Sequence, residues 1–315
     1  MLRVFCFQNI FQDPTYYVAR NYIPQYNERT EKMAIFTNQA SLSYNGTTIN
    51  SNVVTGNIID VLAVSKTAVG ENYSANDFVT YIVSITNSGP TAFGGVTVSD
   101  NLGEYPFGTG TLVPLDYVEN SVVYYQNGVL QASPAVASTS PLVFTGITVP
   151  AGGNITLVYE ARTNSFAPLS ESGSIVNTVS VTATGVTTPI TDSETITVTN
   201  NPILTITKGL FPVNVTENSE LTYTFTIQNT GNTAAIATDN IVVSDTFDPI
   251  LSDITVTLNG TALPASAYTY NEATGEFATV AGAITVPAAS YTQDPVTGSI
   301  IISPGVTTLT VTGTV

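Results

Sequence analysis

The sequence predicts an all-β protein. It reads as two tandem immunoglobulin-like β-sandwiches, the second lacking its final hairpin, with a further hairpin at the N-terminal side. Three observations carry this. Short segments alternate apolar and polar residues in steps of two, the mark of half-buried strands, in a chain rich in Thr and Val, which favour strands. Residues 62–89, LAVSKTAVGENYSANDFVTYIVSITNSG, match residues 204–231, LTITKGLFPVNVTENSELTYTFTIQNTG, at a constant offset of 142. Residues 36–48, FTNQASLSYNGTT, line up without a gap with residues 175–187, IVNTVSVTATGVT.

The chain of 315 residues opens on an arm unlike the rest. Residues 1–32 hold four of the seven basic residues (Arg3, Arg20, Arg29, Lys32), the only cysteine (Cys6) and seven aromatics, with net charge +1 against −17 for residues 33–315. No apolar core follows Arg3, so no secretory signal is read there. Two readings stay open. The arm is a contact segment, with Cys6 available for an intermolecular disulfide, or the native protein starts at Met33, where ERTEK suits purine-rich codons of a ribosome-binding site.

Residues 33–59 form the extra hairpin, residues 60–200 a complete sandwich and residues 201–315 an incomplete one, joined near Asn200-Asn201-Pro202. After the long match, VTVSD (96–100) answers IVVSD (241–245). Both units then place a strand before an Asn-Gly turn, Asn127-Gly128 and Asn259-Gly260, the dipeptide favoured in tight hairpins. Unit one continues into SIVNTVSVTATGVTTPITDSETITV, a final hairpin; unit two, read to Val315, does not. The missing piece stands at residues 34–59. A sandwich without its last strands exposes open edges and part of its core, and strand addition from another chain fills such an edge. The few residues from Gly56 to Asp60 reach roughly 20 Å, against roughly 35 Å across a sandwich. The hairpin is therefore expected to act as a donor to the unit two of a neighbour, a head-to-tail contact that builds rings or filaments. Self-closure, truncation and an ordinary monomer are the alternatives.

Three polar residues share faces with core residues in each unit. Lys66 follows Leu62 and Val64; Lys208 follows Leu204 and Ile206. Asp100 follows Val96 and Val98; Asp245 follows Ile241 and Val243. Asn177 lies with Ile175, Val179 and Val181, and Asn38 with Phe36, Ala40 and Leu42. Burying a Lys beside an Asp is costly unless both are satisfied; burial lowers the amine's pKa and raises the carboxyl's. A neutral amine is a nucleophile, and a protonated carboxyl polarises an amide carbonyl. Such a trio can join Lys to Asn as an amide with release of ammonia. It equally suits a buried ion pair with Asn as hydrogen-bond partner.

VSKT, FVTYIVSITNSG, VTVSD and NTVSV resemble the bacterial surface repeat known as domain of unknown function eleven, and isopeptide-forming domains of Gram-positive fimbrial proteins. The resemblance covers residues 60–315 and the front hairpin. It implies a Lys66–Asn177 isopeptide assisted by Asp100, and a Lys208–Asn38 bond between chains assisted by Asp245. The permuted hairpin departs from that pattern, and no sortase motif is seen. A two-repeat chain without a secretory signal is similar to subunits of clostridial ribbon-like spore appendages, which implies an extracellular or spore-surface location and synthesis in the mother cell.

The net charge of −16 excludes a nucleic-acid partner, which needs a basic surface. No apolar run approaches the roughly 18 residues of a membrane span. With no His and one Cys, no hydrolytic triad or zinc site is expected, and neither cofactor nor metal. Asp239, Asp248 and Asp253 lack calcium-loop spacing. Sequons at Asn45, Asn72, Asn154, Asn214 and Asn259 are ordinary for a Ser/Thr-rich chain. The sequence therefore points to a structural subunit whose partner is itself, with a surface adhesin as the alternative.

Overall fold

The computed structural model describes residues 34–58, 61–186 and 188–315; the expectations for the arm and Cys6 lie outside them. The fold is all-β, and contacts divide the chain into residues 1–60 and 61–315. Among the described residues no helix is long and apolar enough to cross a membrane.

Within residues 34–58, β1 (Ala34–Asn38) pairs antiparallel with β4 (Val54–Ile58), and β2 (Ser41–Tyr44) with β3 (Thr47–Asn50). The tight turn at Asn45-Gly46 has φ of 46° and 78°, the left-handed pair that Asn-Gly supplies at low cost. This hairpin is not one continuous ladder. Asn38 faces Val54 while Ser41 faces Asn50, so Gln39 and Ala40 stand opposite three residues, a bulge. Ser51 fills it: Ala40 N–H donates to Ser51 Oγ (2.9 Å) and Ser51 N–H to the Ala40 carbonyl (2.8 Å). Residues 34–58 carry no charged side chain, and Leu42, Tyr44, Ile49, Val53 and Val54 are exposed.

Residues 61–315 begin with β5 (Leu62–Val69), β6 (Asn72–Tyr73), β7 (Phe78–Asn87), β8 (Phe93–Asp100) and the small pair β9 (Tyr105–Phe107) and β10 (Gly110–Leu112). There follow β11 (Leu115–Tyr117), β12 (Val123–Gln126), β13 (Val129–Gln131), β14 (Ala135–Thr139), β15 (Leu142–Val149), β16 (Gly153–Thr163), β17 (Ser174–Thr182) and β18 (Ile190–Val198). Two six-stranded sheets result: β13–β12–β16–β7–β5 with β11 on β16, and β14–β15–β8–β17–β18–β6. The alternation sets the packing. Val79, Tyr81, Val83 and Ile85 of β7 are buried, and their neighbours Thr80, Ile82 and Ser84 are half-buried. β16, β15 and β17 meet them with Leu157, Tyr159, Phe144 and Val179 in one core.

A second core follows in β19 (Leu204–Phe211), β20 (Glu220–Asn229), β21 (Ser244–Thr246), β22 (Ser252–Leu258), β23 (Thr261–Ala262), β24 (Tyr268–Asn271), β25 (Glu276–Thr279), β26 (Ser290–Gln293), β27 (Ile300–Ser303) and β28 (Gly305–Thr314). One sheet runs β19–β20–β28–β22–β23, the facing one only β21–β25–β24. β21 is the counterpart of β8, yet among the described residues no strand pairs with its outer edge, where β8 has β17. The IVVSD segment consequently forms a strand only from Ser244.

The repeat shows in a shared corner. Asn87 donates to the carbonyls of Thr91 and Pro150 and accepts from Gly89 N–H; Asn229 does the same with Thr233, Pro287 and Gly231. Gly231 is required there, since a Cβ would stand 2.1 Å from the Asn201 carbonyl oxygen. Next to it Asn232 donates to Asn200 Oδ1 (2.8 Å) and the Thr199 carbonyl (3.2 Å). At a second place the β26–β27 hairpin reaches the first core's loops: Ile300 N–H donates to the Ser165 carbonyl (2.7 Å) and Gln293 Nε2 to the Tyr105 hydroxyl (3.0 Å).

Candidate functional site

β5 carries Lys66 inward because it sits two residues after Val64 and four after Leu62 on a strand with one buried face. Asp100 ends β8, and Asn177 lies on β17, which pairs with β8 through Val179 opposite Asp100. The Lys66 and Asp100 side chains are 0% and 1% exposed and form an ion pair through Asp100 Oδ2. The Tyr159 hydroxyl donates to the same oxygen and lies 3.2 Å from Lys66 Nζ. Asp100 Oδ1 accepts the Leu102 N–H (2.9 Å). The amine stands 4.6 Å above the Tyr81 ring and 5.9 Å from that of Tyr159.

Asn177 is buried, and neither atom of its amide group has a well-formed hydrogen bond. It lies beside the phenols of Tyr81 and Tyr159, whose pKa values burial raises and Asn177 partly pulls back. An unpaired buried amide costs about 1–3 kcal/mol, so its position is not explained by packing alone. Burial lowers the pKa of Lys66 even though Asp100, Glu194 and Asp192 all act to raise it. The structure thus brings together the three residues expected in unit one: an amine biased toward its neutral, nucleophilic form, a carboxyl and an amide.

Sequence reasoning missed the walls of this site. Tyr159 points inward in step with Ile155, Leu157 and Ala161, an alternation visible in NITLVYEA. Asp192 Oδ2 accepts the Lys66 N–H (2.8 Å), bridging β18 to β5; it carried no readable signal.

In the second core Lys208 pairs with Asp245, and Nζ lies 4.3 Å over Tyr223. Here the pair is open, with Lys208 41% and Asp245 17% exposed. Ile206 is 54% exposed where its counterpart Val64 is 5% exposed. Ile206, Lys208, Phe225, Val243 and Asp245 line a groove of about 350 Å³. Among the described residues of 61–315 no strand answers β17, so no Asn stands where Asn177 stands in unit one. Asn38, the residue expected to supply it, belongs to the other unit, where it is exposed at the end of β1.

No family model matches the sequence, and no curated protein matches it. Among solved structures, the chain is similar to the N-terminal domain of the Streptococcus gordonii adhesin Sgo0707, with 16% identity over 46% of this chain and 35% of that one, TM-score 0.31. It is similar to the pilus backbone RrgB of Streptococcus pneumoniae, with 11% identity over 77% of this chain and 55% of that one, TM-score 0.32. A third is the collagen-binding subdomain of the Enterococcus faecalis surface protein ACE, with 6% identity over 44% of this chain and 96% of that one, TM-score 0.29. The chain spans 35% of the adhesin domain's length. At these TM-scores the likenesses carry no weight beside the chain's own sheets.

Proposed function

We propose that this chain is the structural subunit of a self-assembling filament on a cell or spore surface, in which the hairpin at residues 33–59 of one copy completes the open second core of the next. The observation that carries this reading is the contrast between β5 and β19. The apolar face and Lys–Asp pair of β5 are covered by β17 and β18, while those of β19 are bare. The sequence matched to β17 stands at the front hairpin. By the registers of unit one, Ala40 falls opposite Asp245 and Leu42 opposite Val243. Each Leu, Ile or Val fully buried on docking contributes about 1.5–3 kcal/mol, and strand addition supplies the backbone partners β21 lacks.

Lys66 then joins Asn177 within a chain, and Lys208 joins Asn38 across chains. In each, the Lys Nζ–Asn Cγ bond forms, the Cγ–Nδ2 bond breaks and ammonia leaves. Asp100 or Asp245 takes one proton from the ammonium and lends it to the amide oxygen during attack, carries the second lysine-nitrogen proton to the leaving –NH2, and recovers the first as the carbonyl re-forms, so ammonia leaves and the carboxyl ends protonated. No external reactant is needed.

Electrophoresis after boiling in detergent and reductant tests both halves. A ladder is expected from the wild type. Lys208→Ala or Asn38→Ala collapses it to monomer, and Lys66→Ala leaves it in place. A wild type that dissociates fully refutes the covalent junction. Normal filaments from a chain without residues 33–59 refute donation.

A further inference from the structure

The two Lys–Asp pairs do not have the same walls. Tyr159 faces Tyr81 across β16 and β7, and the residue facing the matching Tyr223 is Val311. The volume is made up elsewhere. Phe247, two residues after Asp245, stacks on Tyr223 (4.9 Å, 15°), where the Tyr81 ring has Tyr159 (5.8 Å, 29°). An aromatic wall is kept and a hydroxyl is not. That hydroxyl is the group on Asp100 Oδ2, the oxygen that also holds Lys66.

We propose that Tyr159 is a positioning residue: its hydroxyl ties the Asp100 carboxylate to Lys66, a restraint that the Lys208–Asp245 pair lacks. The inference rests on the cross-linking reading above and deepens it, since it makes the in-chain and cross-chain reactions chemically unequal. With Oδ1 on the Leu102 N–H and Oδ2 on Tyr159, the carboxylate is fixed at both oxygens. Burial keeps the Tyr159 phenol protonated well beyond its usual range, so its proton stays available to Asp100 while its oxygen accepts from Lys66 Nζ (3.2 Å). Besides Asp100, the titratable groups facing Lys66 and Tyr159 are Tyr81 on β7, Tyr117 on β11, and Asp192 and Glu194 on β18. None of the last four donates to Asp100 in the structure.

A carboxylate that loses a donor is protonated more readily, and a doubly protonated Lys–Asp pair has no nucleophile. The acidic limb of the rate–pH profile therefore reports the Tyr159 hydroxyl, which a purely structural role would not move. The full chain carrying Lys208→Ala, so that only Lys66 reacts, is collected unfolded and unreacted, at the full mass of its sequence, and folded from denaturant at a series of pH values. Loss of one ammonia is followed by intact mass. Adding Tyr159→Phe should raise the acidic limb by about 1–2 pH units, from the value of a hydrogen bond to a charged group, with thermal melting confirming a folded chain. If that variant does not fold, Tyr159→Val with Leu102→Phe, which imitates the wall beside Lys208, must raise the limb likewise. A limb that stays in place in a folded variant overturns the inference and leaves the cross-link standing. No ammonia loss from the parent at any pH ends the cross-linking reading itself.

Discussion

Asp100→Ala and Asp245→Ala remove the same atoms from equivalent positions and should have unequal costs. In the first, Lys66 keeps a side chain with no solvent exposure and retains only the Tyr159 hydroxyl as a polar contact. Stranding one member of a buried pair costs about 3–5 kcal/mol. At about 2–4 °C per kcal/mol for a unit of this size, melting should fall by about 6–20 °C. In the second, Lys208 is 41% exposed and water replaces the lost carboxylate, so the cost is about 0–1 kcal/mol. The measurement is made on chains lacking residues 33–59, so that the second core stays open. Asn177→Ala serves as the reference, since it cannot cross-link yet retains the ion pair. The pH dependence has a definite sign. Burial lowers the folded-state pKa of Lys66 from 10.5, so the unfolded chain binds more protons between the lowered value and 10.5. Stability therefore rises with pH through that window. Without Asp100, the largest of the opposing influences is gone, and the Asp100→Ala deficit should shrink as pH approaches 10.5. Equal melting of the two aspartate variants, or a deficit that grows with pH, refutes the reasoning.

Three further outcomes are expected. A peptide of residues 33–59 added to a chain without that segment should raise its melting temperature and shield Lys208 from an amine-reactive reagent, read by peptide mass mapping; unchanged labelling counts against donation. Asn87→Ala leaves two part-buried carbonyls and one N–H without their partner, Asn229→Ala two part-buried carbonyls and the N–H groups of Ile203 and Gly231; each should cost about 2–4 kcal/mol by denaturant melts, with neither affecting ammonia release from the other core. Gly231→Ala, whose Cβ would press on the Asn201 carbonyl, should open the segment around residues 199–202 to limited proteolysis; wild-type resistance would show that the backbone can give way there.

Much of this was legible because strands write their burial in steps of two. Lys66, Asp100 and Asn177 were readable as inward residues from Leu62, Val98 and Val179 beside them, and the structure buries all three. The same pattern in Leu204, Ile206 and Lys208 announced a core face, but period says which side a residue takes and not whether anything covers it. Coverage depends on strands distant in sequence, so the open groove beside Asp245 had to be inferred from the repeat. The bulge at Ser51 was illegible, because a polar segment with no buried face does not advertise its register. Tyr159 was hidden for a different reason: its alternation marked it as core, and only the fold shows that its hydroxyl ends on a carboxylate brought in from another sheet.

The two braces between the cores, at Asn232 and at the β26–β27 hairpin, have a mechanical consequence. They lie at separate places, so a load that would hinge the chain about one is resisted by the other. In a polymer of such chains residues 61–315 would therefore bear load as one piece. Compliance under tension would then collect at the junctions between molecules, where a covalent link is of most use.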